Sequence, residues 1–471
     1  MMPAMDGVSL STQLPTTHLT LLILCLGIAL AFEFVNGFHD TANAVATVIY
    51  TNSLKPWTAV IWSGLCNFAG VFLGGIAVAM SIIKLLPAEL VASGGTGAGL
   101  AMVLALLLGA ILWNVGTWYL GLPSSSSHTM IGAILGVGLA NSFRPGHALG
   151  AGVNWAKAGD VGLSLLLSPM FGFGAAAILL LLAQRFIRDK RLHQSAVADQ
   201  PPPSWVRFLL IGTCTGVSFA HGSNDGQKGV GIIMLILIAT MPGAFAVDNR
   251  LHGTELAKVA AAAAELEVAT RRPEMDKVHG ELTSIVHDLE SIAAAGGTQR
   301  LGALSQSARV AFRSRVLSVD SQLSALEKKG VLDKTAAAHT KKLRGTLRGT
   351  TDYAPSWVLI AVAVALGLGT MIGWKRIVVT VGEKIGQDHI TYVQGACAEL
   401  VAMMTIGLSA FAGLPVSTTH VLSSGIAGTM VARRSKLQSK TVGSIGLAWV
   451  LTLPVSMVLS GTLFLILVKL L

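Results

Sequence analysis

The chain has 471 residues, of which 52% are hydrophobic and only 12% charged, with a formal net charge of +10 and a mean hydropathy of +0.65. A soluble domain carries about 25% charged residues, so this composition excludes a soluble globular protein and predicts one that crosses a membrane many times. The positive charge does not indicate a nucleic-acid binder: the basic residues cluster in short loops (Arg185, Arg188, Lys190, Arg191 and Arg207; Arg433, Arg434, Lys436 and Lys440), as cytoplasmic loops do.

Apolar runs near the roughly 20 residues that a spanning helix needs lie at 18–50, 57–80, 97–119, 125–141, 160–186, 205–246, 356–374, 390–412, 417–432 and 441–469. No Lys or Arg stands between Met1 and Thr20, so the first run is expected to be a retained helix and not a signal peptide. It holds Asn36-Gly37-Phe38-His39-Asp40-Thr41-Ala42-Asn43, and the sixth run holds a second version, His221-Gly222-Ser223-Asn224-Asp225-Gly226-Gln227-Lys228. Both runs are too long for one straight helix, so each is expected to break at its Asp motif. A carboxylate in hydrocarbon is costly, which makes Asp40 and Asp225 candidates for function.

A second motif also occurs twice. Gly121-Leu122-Pro123-Ser124-Ser125-Ser126-Ser127-His128 opens the fourth run, and Gly413-Leu414-Pro415-Val416-Ser417-Thr418-Thr419-His420 opens the ninth. Hydroxyl clusters after Gly-Leu-Pro predict interrupted helices that meet at a midplane site, the plan of a secondary transporter. The 52 glycines suit close helix packing. Cys25, Cys66, Cys214 and Cys397 all lie in apolar runs without C-x-x-C or Cys/His spacing. Neither a disulfide framework nor a metal site follows from them, and no cofactor is expected.

Asp40 and Asp225 stand 185 residues apart, but His128 and His420 stand 292 apart. The excess of 107 residues is polar: residues 246–354 hold 29 of the 58 charged side chains. Within it, Val278, Leu282, Ile285, Leu289 and Ile292, then Phe312, Val316, Val319, Leu323 and Leu326, follow 4-3-4-3 spacing. These are heptad seams. They predict an antiparallel helical hairpin joined at Gly296-Gly297, with room for a third helix, and argue against a disordered linker. Placing Arg185–Arg207 in the cytoplasm puts the N-terminus and the insertion outside, and puts Lys55, Lys375, Arg376, Lys384 and the Arg433–Lys440 loop inside. Five crossings per half leave the halves inverted.

The expected fold is therefore an all-α polytopic membrane protein of two inverted repeats, with broken helices or re-entrant hairpins and ten to twelve transmembrane helices, plus an extramembrane helical insertion. Residues 1–186 form the first repeat, 187–204 a basic cytoplasmic linker, 205–245 the start of the second repeat, 246–354 the insertion, read as periplasmic, and 355–471 the remainder.

These motifs resemble the inorganic phosphate transporter (Pit) family and, within it, the bacterial low-affinity permeases. The resemblance rests on Gly37 to Thr51, His221 to Gly229, Pro415 to His420 and Pro123 to His128, and covers nearly the whole chain. It implies phosphate uptake across the inner membrane driven by a cation gradient, and a homodimer. The family pattern is Asn-Asp-x-x-Asn in both halves. Here His39 precedes Asp40 and Lys228 stands where the second copy has Asn. In sodium-coupled members those Asp and Asn oxygens resemble sodium ligands. A Lys ammonium has no acceptor, so Lys228 favours proton over sodium coupling.

The resemblance gives the residues expected roles. Ser124, Ser125, Ser126, Ser127, Ser417, Thr418 and Thr419, at helix N-termini that attract anions, would bind phosphate with Asn43, Asn224 and Lys228. Asp40 and Asp225 would load the cation or proton, with His39, His128, His420 and Glu399 as further candidates; no metal ligand is named. The bland alternatives are that the hydroxyls only cap helices and that Asp225 only pairs with Lys228. Glu33 is a further intramembrane acid. An intramembrane phosphatase lacks support, since the chain has no P-loop and no positioned base. An anion channel is disfavoured by the repeated carboxylates. Sulfate, sodium coupling and a divalent-metal phosphate complex stay open.

Overall fold

The computed structural model describes residues 16–85, 97–146, 148, 150, 153–196, 200–294, 300–387 and 389–470. The segment before Thr16 and the join at Gly296-Gly297 lie outside the described residues. Within them the regular structure is helical, and the only β pairings are isolated bridges such as Ser195 with Thr391. That follows from the composition: in a bilayer each backbone N–H and C=O must be satisfied within its own segment.

Two compact units are present, one of Leu237–Pro355 and one of Thr16–Ile236 with Ser356–Leu471. The larger begins with α1 (Thr16–Asp40), α2 (Ala42–Tyr50), α3 (Pro56–Leu73) and α4 (Ala77–Leu85). Then come α5 (Gly97–Tyr119) and the shorter α6 (Ser126–Ser142), followed by the long helices α7 (Trp155–Phe186) and α8 (Ser204–Thr240). Among the described residues six helical stretches are long and apolar enough to cross a membrane, or up to seven if the pair Ser356–Met371 and Lys375–Glu383, bent by 63°, counts as one. Leu166, Phe208, Phe411 and Val450 stand exposed, as side chains that contact lipid do.

The first run is interrupted only locally: α1 passes to α2 at Thr41, which keeps helical angles of φ −53° and ψ −38°, and Leu19–Tyr50 remains one continuous apolar stretch. The Thr41 hydroxyl donates to the Gly37 carbonyl at 2.6 Å and to the Thr370 carbonyl at 3.0 Å, and such back-bonding bends a helix. The sixth run does not break: α8 is continuous for 37 residues through Asp225. The position after Asp225 is Gly226, which has no hydroxyl to compete with the ladder. Asp225 instead finds partners along its own helix, His221 at i−4 and Lys228 at i+3. The run at 57–80 is divided, between α3 and α4, at Gly74 and Gly75, the latter at φ +82°.

The second half of this unit has α13 (Ser356–Met371), α14 (Lys375–Glu383), α15 (Tyr392–Phe411), α16 (Thr418–Ala432) and α17 (Ser439–Leu470). Here α5–α6 and α15–α16 form two matched hairpins. Gly121 and Gly413 take φ +68° and +67°, and the N–H groups of Leu122 and Leu414 each reach back to the carbonyls of Thr117 and Ser409 at 2.9 Å. This is the Schellman stop, with Pro placed just beyond it. The hairpins are exchanged between halves: α6 packs on α17, and α16 packs on α7. With 17 and 15 residues, α6 and α16 are roughly 25 and 22 Å long, short of a hydrocarbon core of about 30 Å.

The smaller unit corrects the expected hairpin. It is a four-helix bundle of α9 (Gly253–Ala269), α10 (Asp276–Ala294), α11 (Gln306–Lys328) and α12 (Lys334–Arg348), in which each helix packs on the next and α12 closes on α9. Both predicted seams are buried up to Leu323, Leu326 being only partly so. The other two helices bury Leu256, Val259, Ala263 and Leu266, and Leu343 and Leu347. Those seams are short or Ala-rich, so their periodicity is weak. Arg313 is buried and donates to the carbonyls of Ala246 and Thr351. Burial pushes its guanidinium down to about 10.

Candidate functional site

Both copies of both motifs meet in the interior of the larger unit. Asp40 ends α1, Asn43 lies in the first turn of α2, and His221, Asn224, Asp225 and Lys228 share α8. Ser126–Ser127 and Thr418–Thr419 begin α6 and α16. All of these are buried.

Asp40 is the hub. Ser126 Oγ donates to its Oδ2 at 2.8 Å, and Thr419 Oγ1 to its Oδ1 at 2.5 Å. Asn43 Nδ2 lies 3.4 Å from Oδ1 and 3.0 Å from Thr419 Oγ1. His39 sits beside it, with Nδ1 3.5 Å from Oδ1 and Nε2 3.1 Å from Thr117 Oγ1. One carboxylate is thus gripped by hydroxyls from the first turns of two short helices. Those turns also carry unpaired backbone N–H groups and the positive end of the helix dipole. Hydroxyl donors and two helix N-termini so arranged can hold an oxyanion.

Asp225 is tied to the same place. Ser126 Oγ reaches its Oδ2 at 3.3 Å, and Lys228 Nζ lies 2.8 Å from that oxygen and donates to Ser127 Oγ at 2.5 Å. Ser127 in turn donates to the Val416 carbonyl at 2.7 Å, linking the two hydroxyl motifs directly. Asn224 donates to the Leu414 carbonyl at 3.1 Å. Lys228 therefore joins Asp225 to the Ser cluster.

Ser125 and Ser417 are the N-caps. Their φ and ψ are −98°, 113° and −89°, 102°, and their oxygens accept from the N–H of His128 and His420. A cap uses a lone pair, which leaves the O–H able to donate. Ser124 accepts from Thr117 at 3.4 Å. The His128 and His420 rings lie tilted at 34° with centroids 4.6 Å apart, and His420 stacks on Trp449 at 4.0 Å. Glu399 is buried on α15, where the Thr213 hydroxyl donates to it; no hydrogen bond among the described residues joins Glu399 to Asp40 or Asp225.

His221, for which the sequence suggests no role of its own, also reaches this place. Its Nε2 lies 3.8 Å from Asp40 Oδ2 and 3.6 Å from Asp225 Oδ2, and its Nδ1 is held by Asn67 Oδ1 at 2.7 Å. Asp40, His221 and Asp225 offer ligand atoms that all lie within 4.8 Å of one another, a set that can close around a cation. The available signal was the i, i+4 spacing from Asp225, which puts both on one helix face.

Comparison with known proteins places this architecture. Residues 36–460 match the phosphate transporter family. The chain is 40% identical to the low-affinity inorganic phosphate transporters PitB and PitA of Escherichia coli strain K12, over 94% of this chain and 96% of each relative. It is 31% identical to a probable low-affinity inorganic phosphate transporter of Bacillus subtilis, over 95% of this chain and 98% of that one. In fold it is similar to a solved structure titled the sodium-dependent phosphate transporter, with a TM-score of 0.54 and 19% identity, covering 96% of this chain and 100% of that one. The chain belongs to the phosphate transporter family.

Proposed function

We propose that this protein imports inorganic phosphate across the inner membrane as a secondary active symporter, coupled to protons, by alternating access. The substrate follows from the names of the relatives. The observation that carries the mechanism is the grip of Ser126 and Thr419 on one carboxylate. Two helix N-termini supply donors to a single oxyanion position, and phosphate with its several oxygens suits that position better than a lone carboxylate does. Phosphate then enters as Asp40 gives up its hydroxyl donors. Protonation of Asp40 removes the charge that would repel the substrate, and this links the proton to the anion. Ser124 to Ser127, Ser417 to Thr419, Asn43 and Asn224 line the substrate site, with Lys228 as its fixed cation. The basic loops support an external N-terminus and an external bundle.

Lys228 favours the proton over sodium. Its ammonium lies 2.8 Å from Asp225, offers no lone pair and repels a second cation there. The Asp40, His221 and Asp225 set favours a second reading, in which phosphate travels as a neutral complex with a divalent cation.

Radiolabelled phosphate uptake into proteoliposomes tests the proposal, with proton or sodium gradients imposed separately and sulfate as competitor. Uptake is expected to follow the proton gradient without sodium and to resist sulfate. Lys228→Asn is expected to acquire sodium dependence. Uptake that collapses in sodium-free buffer with the proton gradient maintained would overturn proton coupling; magnesium-dependent uptake would select the complex. Hydrolysis of an organic phosphate would point to the phosphatase instead.

A further inference from the structure

We propose that Glu33 and Asn36 form a second proton-loading site, beside Lys228 and distinct from Asp40 and Asp225. The inference rests on the phosphate symport reading above and adds a site to it. Glu33, Asn36 and Asp40 stand at i, i+3 and i+7 on α1, so they share one face of the helix. Glu33 and Asn36 are both fully buried. Neither carboxylate oxygen of Glu33 and neither amide atom of Asn36 has a partner within ordinary hydrogen-bond geometry; the Asn36 amide approaches the acid only beyond that geometry. Buried polar groups are otherwise almost always satisfied, and four orphan atoms within one turn require an explanation.

The carboxyl lies against Gly229. A methyl group there would meet Glu33 Cγ, Cδ and Oε1 at 2.3, 2.5 and 2.6 Å. The absence of a side chain at Gly229 is what makes room for the acid next to Lys228. Gly229 directly follows Lys228 on α8, so the acid lies against the turn that carries the ammonium. The other elements on α1 bring no competing charge. The sequences of α5 and α13, which pack on it, contain no Asp, Glu, Lys, Arg or His; α6 brings only His128 and α2 none.

Lys228 is already engaged by Asp225 Oδ2 and Ser127. One ammonium cannot compensate two buried carboxylates, and an uncompensated carboxylate costs several kcal/mol. Glu33 therefore needs a cation of its own. One carboxylate and one amide are too few ligands to replace the hydration shell of a metal ion, whereas a single proton neutralises the acid outright. When Lys228 turns towards incoming phosphate, Glu33 becomes the acid that takes up a proton from outside and releases it inside. The proton adds to and leaves one carboxylate oxygen, and no bond to phosphate is made or broken.

The test compares wild type with Glu33→Gln in proteoliposomes. Phosphate self-exchange across a gradient-free membrane should persist in the variant. Steady-state accumulation under a proton gradient should fall about tenfold for each pH unit imposed, the effect of one proton fewer per cycle. Glu33→Asp should restore the wild-type ratio with a displaced pH midpoint. Infrared difference spectra on acidification should show a protonated-carboxyl band in wild type that Glu33→Gln lacks. Absence of phosphate exchange by wild type would sink the phosphate reading and this inference with it. Wild-type exchange together with an unchanged accumulation ratio in Glu33→Gln, or an unchanged infrared band, would overturn this inference alone. Should Glu33→Gln fail to fold, an unmoved pH midpoint in Glu33→Asp would overturn it.

Discussion

Asp40 and Asp225 occupy matching places in the two motifs, but their surroundings differ side chain by side chain. At i−4, i−1 and i+3 the first copy has Asn36, His39 and Asn43, and the second has His221, Asn224 and Lys228. Asp40 is held by neutral hydroxyls and a histidine, Asp225 by a fixed ammonium. Asp40→Asn and Asp225→Asn are each expected to abolish concentrative uptake while the protein still inserts; accumulation measured beside membrane yield checks this. Near-normal accumulation by both would end the coupling role. The hydroxyls divide into two kinds. Ser126→Ala and Thr419→Val remove donors from the oxyanion position. Each should weaken phosphate binding by about 1.5–3 kcal/mol, or ten- to a hundredfold, as calorimetry can measure. Ser125→Ala and Ser417→Ala also remove N-caps, so they should in addition cost about 1 kcal/mol of stability. Wild-type affinity in all four variants would leave the clusters as caps alone.

Among the helices, two devices place these side chains. The Schellman stops at Gly121 and Gly413 turn the chain so that α6 and α16 begin at buried Ser and Thr residues. The local interruption after Asp40 coincides with the Thr41 hydroxyl bonding back to the Gly37 carbonyl, while α8 runs on through Gly226. Contact between α1 and α13 depends on missing side chains. A methyl at Gly369 would lie 2.1 Å from the Phe34 carbonyl, and one at Gly37 2.3 Å from that of Leu366. Backbone atoms cannot yield as side chains do, so Gly369→Ala should force α1 and α13 apart. The expected cost is about 1–3 kcal/mol, seen as a lower thermal midpoint in detergent. Both partners of the Thr41 hydroxyl lie at this contact, so transport should fall too. An unchanged midpoint would show that the helices can shift freely.

Taken entire, the chain combines an apolar unit that carries the site with a charged four-helix bundle that has its own core. Phe312, Val316, Leu282 and Ile285 are essentially inaccessible there, and the ends are tied by Tyr353 to the Phe245 carbonyl at 3.1 Å and by Asp248 N–H to the Thr350 carbonyl at 2.8 Å. Residues 246–354 expressed alone should therefore fold as a soluble helical domain with cooperative thermal unfolding. Leu282→Ala should destabilise it by about 2–5 kcal/mol. Circular dichroism that shows no transition would mean that the bundle depends on the rest of the chain.

Much of this was legible in the amino-acid order because hydropathy, the 4-3 seams and the Gly-Leu-Pro stops act locally. A run of apolar residues must be helical in lipid wherever it sits, and a Gly followed by Leu-Pro ends a helix whatever packs on it. Thus most of the apolar runs, the hydroxyl caps and the polar insertion were readable, but not the division of the run at 57–80 into two helices at Gly74 and Gly75. What was not readable depends on neighbours distant along the chain. Two of the four bundle helices have seams too weak to read alone and are defined by the partners they cover. The continuity of α8 through Asp225, the exchange of α6 and α16 between the long helices, and the meeting of His221 with Asp40, 181 positions earlier, all depend on packing. Spacing along a helix fixes which side chains share a face, but only the approach of another helix decides which buried charge that face must satisfy.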